Sequence, residues 1–296
     1  KQHHILGLQA NMFTEHTRTH ARLQHNLFPR LAAVAETGWS PVQQRDFRDF
    51  LARLPAQLER YRAWGLAYAQ TPFEVAVDHQ DDRRTGSVQV TLANPLGYEV
   101  RYRTDGQPVT AEATLYTSPL QATVPVTVQA AAFFNGQPLA AAPTQAAYTA
   151  RSLLTRRDDE LLTCPGPGQL LLRLEDDGPA DGPRAVFNVN IFNPCWRWSG
   201  ADLTGVRMLK VRAGRIPYYF QLAHDEPQRK FEAATRPHGE MKVRRGDCSG
   251  PALAEVPLPA RPGADGFVTL EAALPKELTG KGDLCINFTG DTRPDR

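Results

Sequence analysis

The sequence predicts a multidomain chain: a helical part led by one buried strand, followed by two antiparallel β-sandwich domains. Two changes of texture predict this. Apolar residues recur at three- and four-residue spacing up to about residue 64, and at two-residue spacing from about residue 75 onward. The second regime is itself interrupted near residues 140–157 by a stretch carrying Pro143 and Arg151-Ser152, which reads as a connector. The length of 296 residues agrees with more than one domain, at ~150 residues per domain.

The elements follow in order. Ile5-Leu6-Gly7-Leu8-Gln9-Ala10 is a short apolar run that suits a buried strand, and a loop follows from Asn11 to His20. Thr19 can cap a helix running through Arg22, Leu23, Leu27 and Phe28. Pro29 ends or kinks that helix, because it lacks an N–H and clashes one turn back. A second helical stretch covers Leu31–Glu36, and Ser40-Pro41 punctuates it. From Gln43 to Trp64, residues Phe47, Phe50, Leu51, Leu54, Leu58 and Tyr61 share one face of a helix. This stripe reads as core packing. Pro55 is expected to bend the helix, and Gly65 stands where a C-terminal cap residue belongs.

Alternation then takes over at Val75/Val77, Val88/Val90/Leu92, Tyr98/Val100/Tyr102 and Val124/Val126/Val128. The turn pairs Asn94-Pro95, Asp105-Gly106 and Asn135-Gly136 separate these runs, which predicts a small antiparallel sandwich over 71–150. After Asp158 the runs Leu170–Leu172, Val186–Val189, Met208–Val211, Tyr218–Phe220 and Phe267–Leu270 are candidate strands of a second sandwich or jelly roll. The expected domains are therefore 1–70, 71–150 and 158–296, with 151–157 as linker.

Composition narrows the functional classes. Charge is nearly balanced, 34 basic against 32 acidic side chains, and no Lys/Arg run has the footprint of a nucleic-acid partner. No apolar stretch approaches the ~20 residues of a membrane helix. No phosphate-binding glycine loop and no His-Glu-x-x-His motif occurs, so neither nucleotide nor zinc-protease chemistry is expected. Both termini read as interior sequence, and the chain is expected to be a fragment at each end.

All four cysteines, Cys164, Cys195, Cys248 and Cys285, fall in the second half. They form no Cys-x-x-Cys pair and have no His at ligand spacing, so no metal and no cofactor is expected. An even count in one region favours two disulfides and an oxidising compartment, periplasmic or secreted. Four buried thiols are the alternative, and three pairings are open.

One segment carries chemistry. Gly7-Leu8-Gln9-Ala10-Asn11-Met12-Phe13-Thr14-Glu15 resembles the last barrel strand of family 20 glycoside hydrolases, the β-N-acetylhexosaminidases and chitobiases. The usual pattern there is Gly-x-Gln-Ala-x-x-Trp-x-Glu. Leu27-Phe28-Pro29-Arg30-Leu31-Ala32-Ala33-Val34-Ala35-Glu36 and Trp39-Ser40-Pro41 resemble the family's next helix. Weaker similarity to the sandwich that often follows the barrel runs through Tyr102–Gly106 and Leu115–Leu120, and Cys285–Pro294 resembles a further accessory domain.

The resemblance implies that residues 1–70 hold the last βα unit of a (β/α)8 barrel plus a helix. It implies that Glu15 accepts hydrogen bonds from the hydroxyls of a terminal N-acetylhexosamine. Phe13 stands where the family has a Trp in the wall around that sugar, which keeps a π face but loses the indole N–H. The ligand class implied is an N-acetylhexosamine-containing oligosaccharide. Family 20 uses the substrate's own acetamido oxygen as nucleophile, assisted by an Asp-Glu pair on an earlier strand. No catalytic residue is therefore expected in this chain. Asp159-Glu160 and His224-Asp225-Glu226 lie far past the barrel segment and read as turns.

Two other classes of function remain in view. Trp196, Trp198, Tyr218 and Tyr219 offer aromatic faces that could stack on sugar rings, which would make the last domain a carbohydrate-binding module. Period two puts Trp196 and Trp198 on one face, and burial in the core is the competing reading. A purely structural bracing role for both β domains is the third. Nothing in the sequence speaks to oligomeric state.

Overall fold

A computed structural model describes residues 7–14, 17, 19–164, 171–175, 186–190, 193–214 and 223–290. It divides into two compact units that meet in sequence between Leu154 and Thr155. A few helices precede a set of antiparallel sheets, the arrangement of β-sandwich domains after a short helical part.

The first unit begins with helix α1 (His20–Leu27), capped as expected by the Thr19 hydroxyl, which accepts from Arg22 N. Helix α2 spans Arg30–Trp39, with Pro29 at its N-cap. Helix α3 spans Phe47–Ala63. It starts four residues later than the periodicity predicts, because the Asp46 carboxylate accepts from both Arg48 N and Asp49 N and so caps it there. Gly65 ends it at φ +67°, and Leu66 N reaches back to Tyr61 O at 2.9 Å.

Two sheets follow. Strands β1 (Ala76–Asp82), β2 (Ser87–Ala93), β3 (Glu99–Arg103), β4 (Thr114–Leu115), β5 (Leu120–Thr123), β6 (Val126–Phe134), β7 (Gln137–Pro138) and β8 (Thr144–Tyr148) form orders β1-β2-β5 and β4-β3-β6-β7, with β8 also on β6. Asn135 (φ 50°) and Gly136 (φ 75°) make the tight turn between β6 and β7. Val124, expected within a strand, instead precedes Pro125 between β5 and β6. Proline has no N–H for a ladder, so the chain turns there.

Helix and sandwich share one core. Leu54, Leu58 and Tyr61 of α3 bury against Phe73, Val88, Val90, Val100 and Val128. The Tyr98 hydroxyl donates to Leu51 O at 2.7 Å. The stripe reading of the sequence thus holds for all but its first residue, since Phe47 is exposed.

In the second unit, short strand β9 (Leu162–Thr163) is followed by the hairpin β10 (Leu171–Glu175) and β11 (Val186–Asn190). Next come β12 (Cys195–Asp202), β13 (Met208–Gly214), β14 (Glu240–Arg245), β15 (Ala252–Pro257), β16 (Phe267–Ala273) and β17 (Lys281–Phe288). A five-stranded sheet runs β15-β14-β17-β12-β9, and β13 pairs with β16. Met241, Val243, Leu284 and Ile286 of the larger sheet pack with Leu270 and Ala272 of β16. Tyr218–Phe220 lies outside the described residues. No helix among the described residues is long and apolar enough to cross a membrane.

Candidate functional site

The segment singled out by its motif leads into the helices. Leu8, Gln9 and Ala10 line a shallow depression with Ala33, Val34 and Thr37 of α2. Gln9 Nε2 donates to Asn11 Oδ1 at 2.6 Å, and Thr17 N donates to Thr14 O at 3.0 Å. Residues 7–10 run without a sheet partner among the described residues, which differs from the expected strand. The physical reason is that an extended segment becomes a strand only when a neighbour accepts and donates its ladder hydrogen bonds, and no described strand lies alongside this one. Ile5 and Leu6 lie outside the described residues. Phe13 is 75% exposed. Glu15 also lies outside the described residues.

The helices under this segment are tied down well. Arg53 of α3 makes a two-pronged pair with Glu36 of α2, at 2.8 and 3.2 Å, and adds Asp49 at 2.8 Å. The Arg53 hydrogen bond is the main reason that the Glu36 carboxyl is held below its usual range. An ionised, cation-held Glu36 positions α2 and cannot serve as a proton donor near neutrality. Arg45 donates to Thr37 O and Ser40 O, closing the C-terminus of α2. Gln24 Oε1 accepts from Ala67 N, and Phe28 O accepts from Ala69 N, which binds α1 to the segment after α3. Trp39 of the second motif is 90% exposed.

The second unit has a polar sheet face. On β14, Met241 and Val243 point into the core, while Glu240, Lys242 and Arg244 occupy the other face and are buried there too. Glu232, from the irregular segment before β14, accepts from Lys242 Nζ at 2.6 Å, Arg244 Nη2 at 2.9 Å and Asn287 Nδ2 at 3.3 Å. The Lys242 hydrogen bond, first among several causes, lowers the Glu232 carboxyl and in return raises the Lys242 ammonium. Burial pushes Glu240 up most, yet the Thr235 backbone and hydroxyl, Lys242 and the Thr289 hydroxyl together hold it lower than usual. Sequence reasoning passed over this cluster. The signal was present as the alternation Glu240-Met241-Lys242-Val243-Arg244, a strand pattern disguised because its outward face is charged and covered.

The cysteines lie on the same face. Cys285 of β17 is the register partner of Arg197 on β12 and Arg244 on β14, and Cys195 pairs with Asn287. Disulfides join Cys164 to Cys195 and Cys248 to Cys285, as the even count favoured, and they resolve which of three pairings is used. Such bonds belong to an extracellular or periplasmic setting.

The remaining sequence candidates are dispersed. Trp196 and Trp198 are both half-buried. Trp196 meets Phe288 edge-on at 6.0 Å, and the Arg156 guanidinium sits 4.9 Å from the Trp198 ring centre. Tyr218 and Tyr219 lie outside the described residues. Asp225 and Glu226 fall in a 3-10 turn over Ala223–Gln228, where Asp225 accepts from Gln228 Nε2 at 2.7 Å. In the Asp158–Glu160 turn, Glu160 accepts from Arg157 N.

Comparison with known proteins adds the frame. Residues 1–42 match the family model "Glycosyl hydrolase family 20, catalytic domain", and residues 82–144 match "Chitobiase/beta-hexosaminidase C-terminal domain". A beta-hexosaminidase of Porphyromonas gingivalis is 31% identical over 122 residues, 41% of this chain and 16% of that protein. A beta-N-acetylhexosaminidase of Cellulomonas fimi is 34% identical over 68 residues, 23% of this chain and 14% of that protein. A solved family 43 arabinoxylan arabinofuranohydrolase from Bacillus subtilis, in complex with cellotetraose, aligns over 73% of this chain and 63% of its own. Its TM-score of 0.24 and 13% identity carry no weight for the fold.

The first stretch of the chain is therefore similar to glycoside hydrolase sequence of family 20. More narrowly, two segments in order resemble the end of a family 20 catalytic domain and the C-terminal domain of chitobiases and beta-hexosaminidases. The alignments span only 16% and 14% of the length of these curated relatives.

Proposed function

We propose that this chain is the C-terminal portion of a β-N-acetylhexosaminidase that releases terminal N-acetylhexosamine from glycans or chitooligosaccharides. The reaction is substrate-assisted retaining hydrolysis, in which the acetamido oxygen of the substrate attacks its own anomeric carbon. The Asp-Glu pair that orients the acetamido group and protonates the leaving oxygen belongs to the barrel outside these residues. By itself this chain is inactive.

The observation that carries this reading is the match of two family models, in order, to the segments holding the barrel motif and the following sandwich. In this reading residues 1–70 close the catalytic barrel, 71–150 form the small sandwich, 151–157 link, and 158–296 form the accessory domain. Glu15 follows the last barrel strand, at the face where barrel enzymes bind substrate, and accepts hydrogen bonds from the sugar hydroxyls. Phe13 supplies part of the apolar wall, and its present exposure leaves its ring available for that contact. The protein works in the periplasm or outside the cell.

The test is hydrolysis of a chromogenic N-acetyl-β-glucosaminide. The 296-residue chain should show no turnover, and the longer protein that includes the preceding barrel should be active. Glu15→Gln in the longer protein should lower kcat/KM by roughly 10- to 100-fold, the equivalent of about 1.5–3 kcal/mol for a charge-assisted hydrogen bond. Turnover by the chain alone, or an unchanged kcat/KM in the variant, would refute the assignment.

A further inference from the structure

The four cysteines come from separate parts of the second unit: Cys164 directly after β9, Cys195 opening β12, Cys248 in the turn after β14, and Cys285 within β17. Widely spaced in sequence, they carry no zinc-finger signature. The sheet nonetheless brings all four sulfurs within 4.8 Å of one another. Between the two disulfides, Cys164 Sγ lies 2.8 Å from Cys248 Sγ and 3.9 Å from Cys285 Sγ. Cys195 Sγ lies 2.9 Å from Cys248 Sγ and 3.4 Å from Cys285 Sγ. Two structural disulfides need no such proximity. Four sulfurs around one point is the arrangement of a tetrathiolate metal centre.

We propose that the reduced chain holds one soft divalent cation of the zinc class at Cys164, Cys195, Cys248 and Cys285. A Zn–S bond of ~2.3 Å sets tetrahedral sulfurs about 3.8 Å apart. Opening the two disulfides and seating an ion asks each sulfur to move by on the order of 1 Å, within reach of side-chain rotation. Cys164, Cys195 and Cys285 are buried and Cys248 is half-buried, so three of the four ligands are shielded from water, in keeping with a structural zinc site. Four thiolates around a dication leave two net negative charges. Arg197 and Arg244, the register partners of Cys285 on both neighbouring strands, stand on that face, where they are paired with Asp283 and Glu232.

The chemistry balances as follows. Two equivalents of a dithiol reductant each give two electrons and two protons to one disulfide, leaving four protein thiols and two oxidised dithiols. Binding of the cation then displaces the four thiol protons to solvent, so affinity rises with pH. Disulfides and metal are alternative states of one site, and the redox environment selects between them.

The test uses the full 296-residue chain, reduced anaerobically by a dithiol that is then removed, and titrated with cobalt(II) as a spectroscopic probe. The expected result is one equivalent bound, with intense near-ultraviolet sulfur-to-cobalt absorption and the visible bands of tetrahedral cobalt, both erased by zinc. Cys285→Ser and Cys195→Ser should abolish the one-to-one endpoint, and the untreated oxidised chain should bind none. Chain produced in a reducing cytoplasm should carry zinc by elemental analysis and four thiols after its removal. Octahedral cobalt spectra, binding indifferent to the cysteine variants, or a reduced chain that neither binds nor regains its circular dichroism with zinc would each overturn the proposal. None of these outcomes bears on hexosaminidase activity.

Discussion

Glu232 holds two buried cations at once, and that makes it the most consequential single carboxylate in the second unit. Lys242 and Arg244 have left water for the sheet face. Lys242 also faces Glu255 at 3.4 Å and Glu240 at 3.9 Å, so it is Arg244 whose buried charge depends most on Glu232. A buried charge that loses its counter-ion is costly. Glu232 itself is partly exposed, so solvent screens part of the loss. Glu232→Gln should destabilise the unit by about 2 kcal/mol, read as a lowered urea midpoint. An unchanged midpoint would mean that water replaces the carboxylate. Gly239 makes a separate demand. It sits at φ +77°, and a Cβ there would stand 2.8 Å from Thr289 O. Gly239→Ala should therefore cost more than the ~1 kcal/mol of an ordinary left-handed substitution, because the close contact is to backbone that cannot rotate away. A melting temperature equal to wild type would show that the backbone at Thr289, just after β17, shifts to make room.

At the scale of elements, α3 owes its place to the sandwich. Its aromatic and leucine stripe was readable from spacing alone, since residues three and four apart must share a face whatever they touch. The partner of that face was not readable. Phe73, Val88 and Val100 become its neighbours only when two sheets close on the helix. Leu58→Ala should cost about 2–5 kcal/mol, because Leu58 is fully buried at this junction and leaves a cavity on both sides. Tyr98 adds a polar tie to the same contact. Burial pushes its hydroxyl up to about 12. Between pH ~10, where an unfolded tyrosine ionises, and about 12, the folded chain keeps a proton that the unfolded chain has lost. Stability of the first unit should fall across that window, and Tyr98→Phe should flatten the fall. Equal slopes in both proteins would remove Tyr98 as its source. Strand β14 shows the opposite limit of sequence reading. Its alternation is regular, but buried Glu, Lys and Arg are improbable until the fold provides their partners.

For the whole molecule, the two units should respond differently to reduction. All four cysteines belong to the second unit, so a dithiol should lower that unit's melting transition, at a cost of about 2–5 kcal/mol per native disulfide, and leave the first unit's transition unmoved. A shift of both transitions would show that the units unfold together. Acid acts on the second unit through its lowered carboxyls, Glu232 among them, which stabilise the folded form above the unfolded value near ~4.3 and stop doing so as pH falls through the folded one. Lys242, raised, contributes below ~10.4 and is lost as pH rises past its folded value. The second unit should thus be most stable between these limits, measured by denaturation midpoints from pH 3 to 11.

Sequence by itself determined the order of helical and β texture, the caps at Thr19 and Gly65, the family motif from Gly7 to Glu15, and a cysteine count that favoured two disulfides. These are local facts: periodicity, capping and motif are written in residues a few positions apart, and local sterics and hydrogen bonding act at that range. Only the tertiary structure decided which cysteines pair, why four of them converge, and how Glu232 comes to pair with both Lys242 and Arg244. Those depend on strands far apart in sequence lying ~4.8 Å apart in a sheet, a proximity that no local pattern encodes.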